Sequence, residues 1–303
     1  MNSLPYYYDD LWKQHEIEYL KFNNYIYKND LSYTINNCIS IILLFEFQGK
    51  HVLRGYNDGI LFPQINNFDI ENIHVNKKKD KVLEILYYIN NIFEEYNIQD
   101  TKIYQNIYDS FKLRYSIFSI LDTTFNFVEK NKLEIALIYD NTICIDDIEK
   151  CMESGGVRNI INKFNKNPPT INIYFGNIPD IIFDNFVKKH FELAERKTKP
   201  EICWNILKTF ILEKKAILVE SNNNFVMFNV SRNYCYYSIN ACNRKDKIVS
   251  YLLYSGIKWL LHNHYNNIHF GSYANYYKDE KNINIAKFKK GFCNKLFNSY
   301  YLS

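Results

Sequence analysis

Apolar positions recur along this chain in two rhythms, one of strands and one of helices. Ile39-Ser-Ile-Ile-Leu-Leu-Phe-Glu-Phe47 is a β-branched and aromatic run that stops at Gln48-Gly49-Lys50. It predicts a buried central strand, a turn, and a partner strand from His51. Val82, Leu83, Ile85, Leu86, Ile89, Ile92 and Phe93 return at helical spacing, so a helix is expected over 78–97. A strand is expected around Lys102 to Gln105, and Leu133 to Tyr139 alternates strictly, as a half-buried strand does. Ahead of all these, the aromatic and acidic residues from Pro5 to Tyr19 predict a short helix or arm that packs Trp12 onto a domain surface.

The rhythm changes after residue 144. Ile145-Asp-Asp-Ile-Glu149 has an acidic first turn, Ser154-Gly-Gly156 interrupts it, and Val157 to Phe164 resumes a helical pattern. Asn167-Pro168-Pro169 ends that helix, because proline has no N–H and its ring clashes with the preceding turn. Downstream the pattern predicts a strand over Thr170 to Phe175, then helices from Pro179 to Leu193 and from about Pro200 to Glu213. Three meander strands follow (Ala216 to Glu220, Phe225 to Val230, Tyr234 to Ala241), with Asn222-Asn-Asn224 as the first turn. A helix over Asp246 to His264 comes next, then a strand at Ile268. The last stretch, Ile268 to Phe292, adds a Gly-Ser turn, a polar loop and the cluster Phe288-Lys-Lys-Gly-Phe292. The division that follows is 1–144, a helical linker at 145–169, and 170–303.

Composition narrows this picture. Hydrophobic residues make up 47% of the chain and aromatics 17%, which requires a packed core and excludes disorder. Glycine (9) and proline (6) are scarce, so asparagine is expected to supply the turns. The net charge of +4 permits contact with phosphates or anionic lipid without requiring it. The seven cysteines are scattered with no CxxC pair, which argues for reduced, mostly buried thiols and against a disulfide framework or a metal site. The N-terminus lacks the apolar core of a secretion signal, and the longest apolar run, Cys38 to Phe47, is too short to span a bilayer. A cytoplasmic protein is expected, with peripheral contact at the inner membrane face as an option.

The element order β-α-α-β-β-β-α-β resembles the GCN5-related N-acetyltransferase (GNAT) fold. Two segments are similar to its FemABX-like branch of peptidyl, aminoacyl and sugar acyltransferases. One is His190-Phe-Glu-Leu-Ala-Glu-Arg-Lys-Thr-Lys-Pro-Glu-Ile-Cys-Trp204, where an Arg and a Thr precede a Trp on the second helix. The other is the close at Phe288-Lys-Lys-Gly-Phe292. Ser154-Gly-Gly-Val-Arg158 resembles the family's SxxxR helix. Cys293 stands where the family usually places a second glycine, and His269-Phe-Gly-Ser272 where it often has an aspartate followed by glycines. The resemblance implies an α/β protein of tandem GNAT-like halves with mixed, largely antiparallel central sheets.

It also implies transfer of an acyl or aminoacyl group onto an amine of a cell-envelope sugar or peptide precursor. The donor is acyl-CoA or aminoacyl-tRNA, and the acceptor a small-molecule or lipid-linked precursor, with tRNA as a candidate partner. A CoA-dependent sugar N-acetyltransferase and a non-catalytic binding module are the alternatives. Such a reaction needs a cation or N–H group at the developing oxyanion and a base for the nucleophile. Lys289 is the oxyanion candidate, and Asp279 or the adjacent Glu280, and His269, are the candidate proton carriers, with His269 expected to point away from the side of Ile268 and Phe270. Arg158, Arg196, Thr198, Trp204, Tyr237, Tyr273 and Phe288 are the candidate substrate contacts. Asn243, Arg244 and Lys245 open the helix beside the donor, in a loop that lacks the glycines of ordinary CoA sites. Spacing alone gives no Ser-His or Cys-His pairing, no metal-ligand set and no P-loop.

Overall fold

The structure is a computed structural model. It describes residues 9–35, 38–55, 59–61, 64–65, 84, 87–98, 101–104, 129–138, 144–153, 156–231, 234–243, 247–272 and 280–302. The chain forms two compact units, one of residues 1–131 with 299–303, the other Lys132–Asn298.

The first unit opens with α1 (Asp10–Phe22), whose start is capped by the Asp9 carboxylate accepting from the Leu11 N–H. The apolar run read as one strand is divided. It gives β3 (Cys38–Ser40) and β4 (Leu43–Phe47), separated by Ile41 and Ile42, both buried. β1 (Ile26–Asp30) and β5 (Lys50–Arg54) flank β4 in one antiparallel sheet, and β2 (Tyr33–Ile35) and β7 (Gln64–Ile65) flank β3 in another. The β4–β5 turn places Gln48 and Gly49 at positive φ, the two-residue geometry that matches strand twist. β6 (Gly59–Leu61) runs parallel to β8 (Lys102–Tyr104), and Tyr301 and Leu302 pair with β8 on its other side. Of the expected helix at 78–97, residues 84 and 87–95 are helical (87–95 is α2), with Ile89 and Ile92 buried; Val82, Leu83, Ile85 and Leu86 lie outside the described residues.

The second unit carries the clearer pattern. After β9 (Glu129–Ile138) come a 3-10 helix (Ile145–Cys151) and α3 (Val157–Lys166). Then follow β10 (Asn172–Tyr174), α4 (Asp180–Ala194), α5 (Glu201–Leu212), β11 (Ala216–Ser221), β12 (Asn224–Ser231) and β13 (Tyr234–Ala241). The order closes with α6 (Ile248–His262), β14 (Asn267–Ser272), α7 (Glu280–Lys290) and β15 (Lys295–Leu302). The strands lie in the order β10-β11-β12-β13-β14-β9, antiparallel except for the parallel β13–β14 pair. This is a mixed, largely antiparallel α/β architecture, as the resemblance implies.

Alternation decides which helix covers which face. Ile217, Val219, Val226, Phe228, Val230, Cys235, Tyr237, Ile268 and Phe270 pack in one buried cluster with Leu252, Leu253, Ile257 and Leu260 of α6. The intervening positions serve α4 and α5: the Phe186 ring of α4 lies 5.6 Å from Phe225 of β12. β11 is therefore buried on both faces along its whole length. Asn222 and Asn223 take positive φ in the β11–β12 hairpin, the role expected of asparagine in a glycine-poor chain.

A second element departs from expectation. The polar stretch before the Phe288-to-Phe292 cluster folds as the helix α7, not as a loop running into that cluster. Its sequence hides this, since Ala286 is its one fully buried residue among those described and Ile285 is 42% exposed.

Candidate functional site

The parallel pair β13–β14 fixes the geometry. Its register holds Cys235 opposite Ile268 and Tyr236 opposite His269, and stops there. β13 continues to Ala241 along β12 and β14 to Ser272 along β9 with no further pairing between the two, and the end of their shared ladder is termed the wedge. At the mouth of the wedge β14 is also irregular. Its ladder with β9 shifts between His269 and Gly271, and Gly271 has φ +88°, which a side chain would strain. A Cβ there would lie 3.4 Å from the Tyr236 hydroxyl and 3.9 Å from Lys289 Nζ.

Lys289 thus reaches the wedge from the last turn of α7. Its ammonium sits 5.4 Å from the centre of the Tyr237 ring, within cation–π range. Burial removes part of its hydration and pushes its pKa down, with the nearby Cys293 acting weakly in the other direction. The Cys293 thiol is itself pushed well up by burial, and it donates to the Lys289 carbonyl at 3.5 Å. Beneath Lys289 lies an aromatic floor. Tyr237 contacts Phe270 at 5.6 Å, Phe270 stacks on Phe292 at 6.1 Å, and Phe288 meets Phe292 edge-on at 5.3 Å. Phe292 and Phe270 are fully buried, and Phe288 is partly buried.

The glycine of the cluster has a packing reason. A Cβ on Gly291 would meet Val157 Cγ2 at 2.6 Å, and the Gly291 carbonyl accepts from the Glu153 N–H at 3.0 Å. The Ser154-to-Arg158 and Phe288-to-Phe292 segments, distant in sequence, therefore meet here, although Ser154 lies outside the described residues. Gly291→Ala is expected to cost about 1–3 kcal/mol by overpacking, read by urea denaturation. Adding Val157→Ala should recover part of it; an unchanged midpoint for Gly291→Ala would refute this contact.

A second cluster forms on the other face. The Nδ1 of His190 lies 3.4 Å from the Asn240 carbonyl of β13, beyond the last β14 pair, and its Nε2 lies 3.0 Å from Thr198 Oγ1. Glu195, in the left-handed conformation after α4, turns the chain back so that Thr198 returns to its own helix. Trp204 of α5 stands edge-on to His190 at 5.1 Å and to Phe186 at 5.6 Å, and is 3% exposed. Asn240 joins the two clusters, since its side-chain amide donates to the Tyr237 hydroxyl at 2.6 Å. Burial pushes the Tyr237 phenol well up, so it is neutral.

The remaining expected residues fall as follows. Arg158 donates to the carbonyls of Glu149, Lys150 and Met152, capping the end of the 3-10 helix. Arg196 is exposed just past α4. The Asn243 N–H donates to the Asn224 side chain at 2.9 Å, tying the end of β13 to the β11–β12 hairpin. His269 points away from Ile268 and Phe270, is 3% exposed, and its pKa is driven down to about 3 by burial, so the ring is neutral. Arg244, Lys245, Tyr273 and Asp279 lie outside the described residues. The residue that sequence reasoning left out of the site is His190. Its partnership with Thr198 spans a reversal of the chain that helical periodicity does not encode. Among the described residues no group of three or more His, Cys, Asp or Glu is placed to hold a metal ion, and no helix is long and apolar enough to cross a membrane.

Comparison with solved structures places this architecture. FemX superposes with a TM-score of 0.66 at 10% identity, covering 100% of this chain and 96% of its own. The C-terminal domain of an Agrobacterium fabrum protein assigned as a lysylphosphatidylglycerol synthetase gives 0.58 at 10%, covering 98% and 90%. L-PGS from Bacillus licheniformis gives 0.56 at 11%, covering 96% and 90%. The chain has a divergent FemABX/GNAT-like fold. No protein-family model and no curated protein matches its sequence. At such identities the likeness is one of fold, and it extends over the whole chain.

Proposed function

We propose that the chain is an acyl- or aminoacyltransferase that moves an acyl group onto an amine, with the carbonyl of the donor held in the β13–β14 wedge. The observation that carries this reading is Lys289: a partly desolvated cation aimed at the point where the two strands part, seated over Tyr237 and beside the bare backbone of Gly271. As an amine attacks a thioester or ester carbonyl, negative charge collects on the carbonyl oxygen. A cation in a low-dielectric setting stabilises that charge far more than the ground state. Gly271 leaves room for the carbonyl to approach, and the aromatic floor keeps water from one side of it.

The likeness to FemX and to a lysylphosphatidylglycerol synthetase domain favours an aminoacyl donor and an envelope precursor, peptide, sugar or lipid-linked, as acceptor. Exposed Arg196 is the candidate partner for the charged part of such an acceptor. An acetyl-CoA-dependent N-acetyltransferase is the second reading, supported by the same wedge. A ligand that binds only the native state raises the melting temperature. Charged bulk tRNA is expected to raise it by a few degrees more than uncharged tRNA does. A response to acetyl-CoA instead would move the assignment to the second reading, and no response to either would favour a non-catalytic binding module.

A further inference from the structure

The His190–Thr198 pair has a hydrogen-bond polarity that its surroundings dictate. A backbone carbonyl only accepts, so the Asn240 oxygen requires a proton on His190 Nδ1. The neutral ring then has a lone pair at Nε2, and Thr198 must donate its hydroxyl proton to it. The threonine oxygen is left with two lone pairs facing outward from the pair, and Thr198 is only partly buried. The site of this arrangement is also fixed: Asn240 lies on the stretch of β13 that has parted from β14, and its side chain holds the Tyr237 hydroxyl under Lys289. Asn240 thus touches both clusters, His190 through its backbone carbonyl and Tyr237 through its side chain.

We propose that Thr198 and His190 form a proton relay for the acceptor amine of the transfer reaction, which deepens, and rests on, the transferase reading above. As the amine nitrogen forms its bond to the acyl carbon, Thr198 Oγ1 takes the amine proton and passes its own proton to His190 Nε2. The donor's C–S or C–O bond then breaks. Its electron pair leaves on sulfur or oxygen, and the proton on His190 returns through Thr198 to that leaving group. Thr198 is the catalytic residue, and His190 acts through it as a positioning residue. Burial lowers the His190 pKa and keeps the imidazole neutral, with its Nε2 lone pair free of a proton; the bond to the Asn240 carbonyl opposes this shift and the Lys199 cation between α4 and α5 adds to it.

Two measurements test this. Nitrogen-15 histidine spectra of the intact protein at neutral pH should show His190 protonated at Nδ1 and bare at Nε2. The opposite tautomer would overturn the relay whatever the activity. Transfer to methoxyamine, an amine that stays unprotonated into the acid range, is then followed against pH with acetyl-CoA and with charged bulk tRNA as donors. Wild-type kcat should fall as pH drops through the depressed pKa of His190, and Thr198→Ser, which keeps the hydroxyl, should keep this acid limb. His190→Asn retains a donor for the Asn240 carbonyl but has no Nε2. That variant and Thr198→Val should each lose about 10²-fold in kcat with little change in KM, and lose the acid limb. Persistence of the limb in both variants of an active enzyme overturns the relay alone. Absence of transfer by wild type with either donor overturns the transferase reading, and the relay with it.

Discussion

Lys289→Met is expected to lower kcat for acyl transfer by about 10²–10³-fold, the usual effect of removing one group from an oxyanion site, while leaving the fold intact or firmer. The methionine keeps the length and packing of the side chain over Tyr237 and removes a cation that burial has partly stripped of water. A merely structural lysine would give the opposite pair of results, unchanged transfer and a weaker fold. The sign of the pH effect separates the cases further. Because the folded pKa of Lys289 lies below its ordinary 10.5, the unfolded chain binds the extra proton between those two values. Stability contributed at this position therefore rises with pH through that alkaline window. Urea unfolding from neutral to alkaline pH should show the rise in wild type and its loss in Lys289→Met.

His269 is expected to make the protein acid-labile. Its folded pKa is near 3, against an ordinary 6.5, because the imidazolium would be buried at 3% exposure in the middle of the β9–β14–β13 ladder. Below pH 6.5 the unfolded chain takes up a proton here that the folded chain refuses. This stability is thus complete above pH 6.5 and is lost progressively toward pH 3, on the order of 4–5 kcal/mol in all. Between about pH 7.5 and pH 5 the loss should be about 2 kcal/mol. The variant His269→Gln removes the titrating ring, so its urea midpoint should fall less over that interval than that of wild type. Equal falls would show that His269 is not the group that senses acid. The same burial bears on its expected part in catalysis: a ring sealed from solvent and neutral across the working pH range exchanges protons with a substrate far less readily than the Thr198–His190 pair.

Much of this protein was legible before any coordinates. The alternation in Leu133 to Tyr139, the helical spacing in Ile248 to Leu261 and the asparagine turn at Asn222-Asn223 are local signals. Each follows from the two periods of the backbone and from the few residues that tolerate positive φ. In order, they describe the β-α-α-β-β-β-α-β core that the second unit adopts. The helix α7 was not legible, because it carries no continuous apolar stripe. It is anchored at its end by Phe288 against Phe292 and by Gly291 against Val157. Neither was the division of the Ile39 to Phe47 run legible, since Ile41 and Ile42 are as apolar as their neighbours and their burial does not depend on strand pairing.

The candidate site divides the same way. By itself the sequence determined which residue types were present for the chemistry, a lysine among phenylalanines and a threonine ahead of a tryptophan. It also determined the elements that carry them. The tertiary structure alone decided that Lys289 meets Tyr237 and Gly271, that Arg158 is committed to the carbonyls of a 3-10 helix, and that His190 closes on Thr198. The physical reason is that periodicity reports which face of an element is buried but not what lies across from it. The β13–β14 pairing stops after Tyr236 and His269, and the two clusters lie on either side of that end of register, each assembled from segments far apart in sequence.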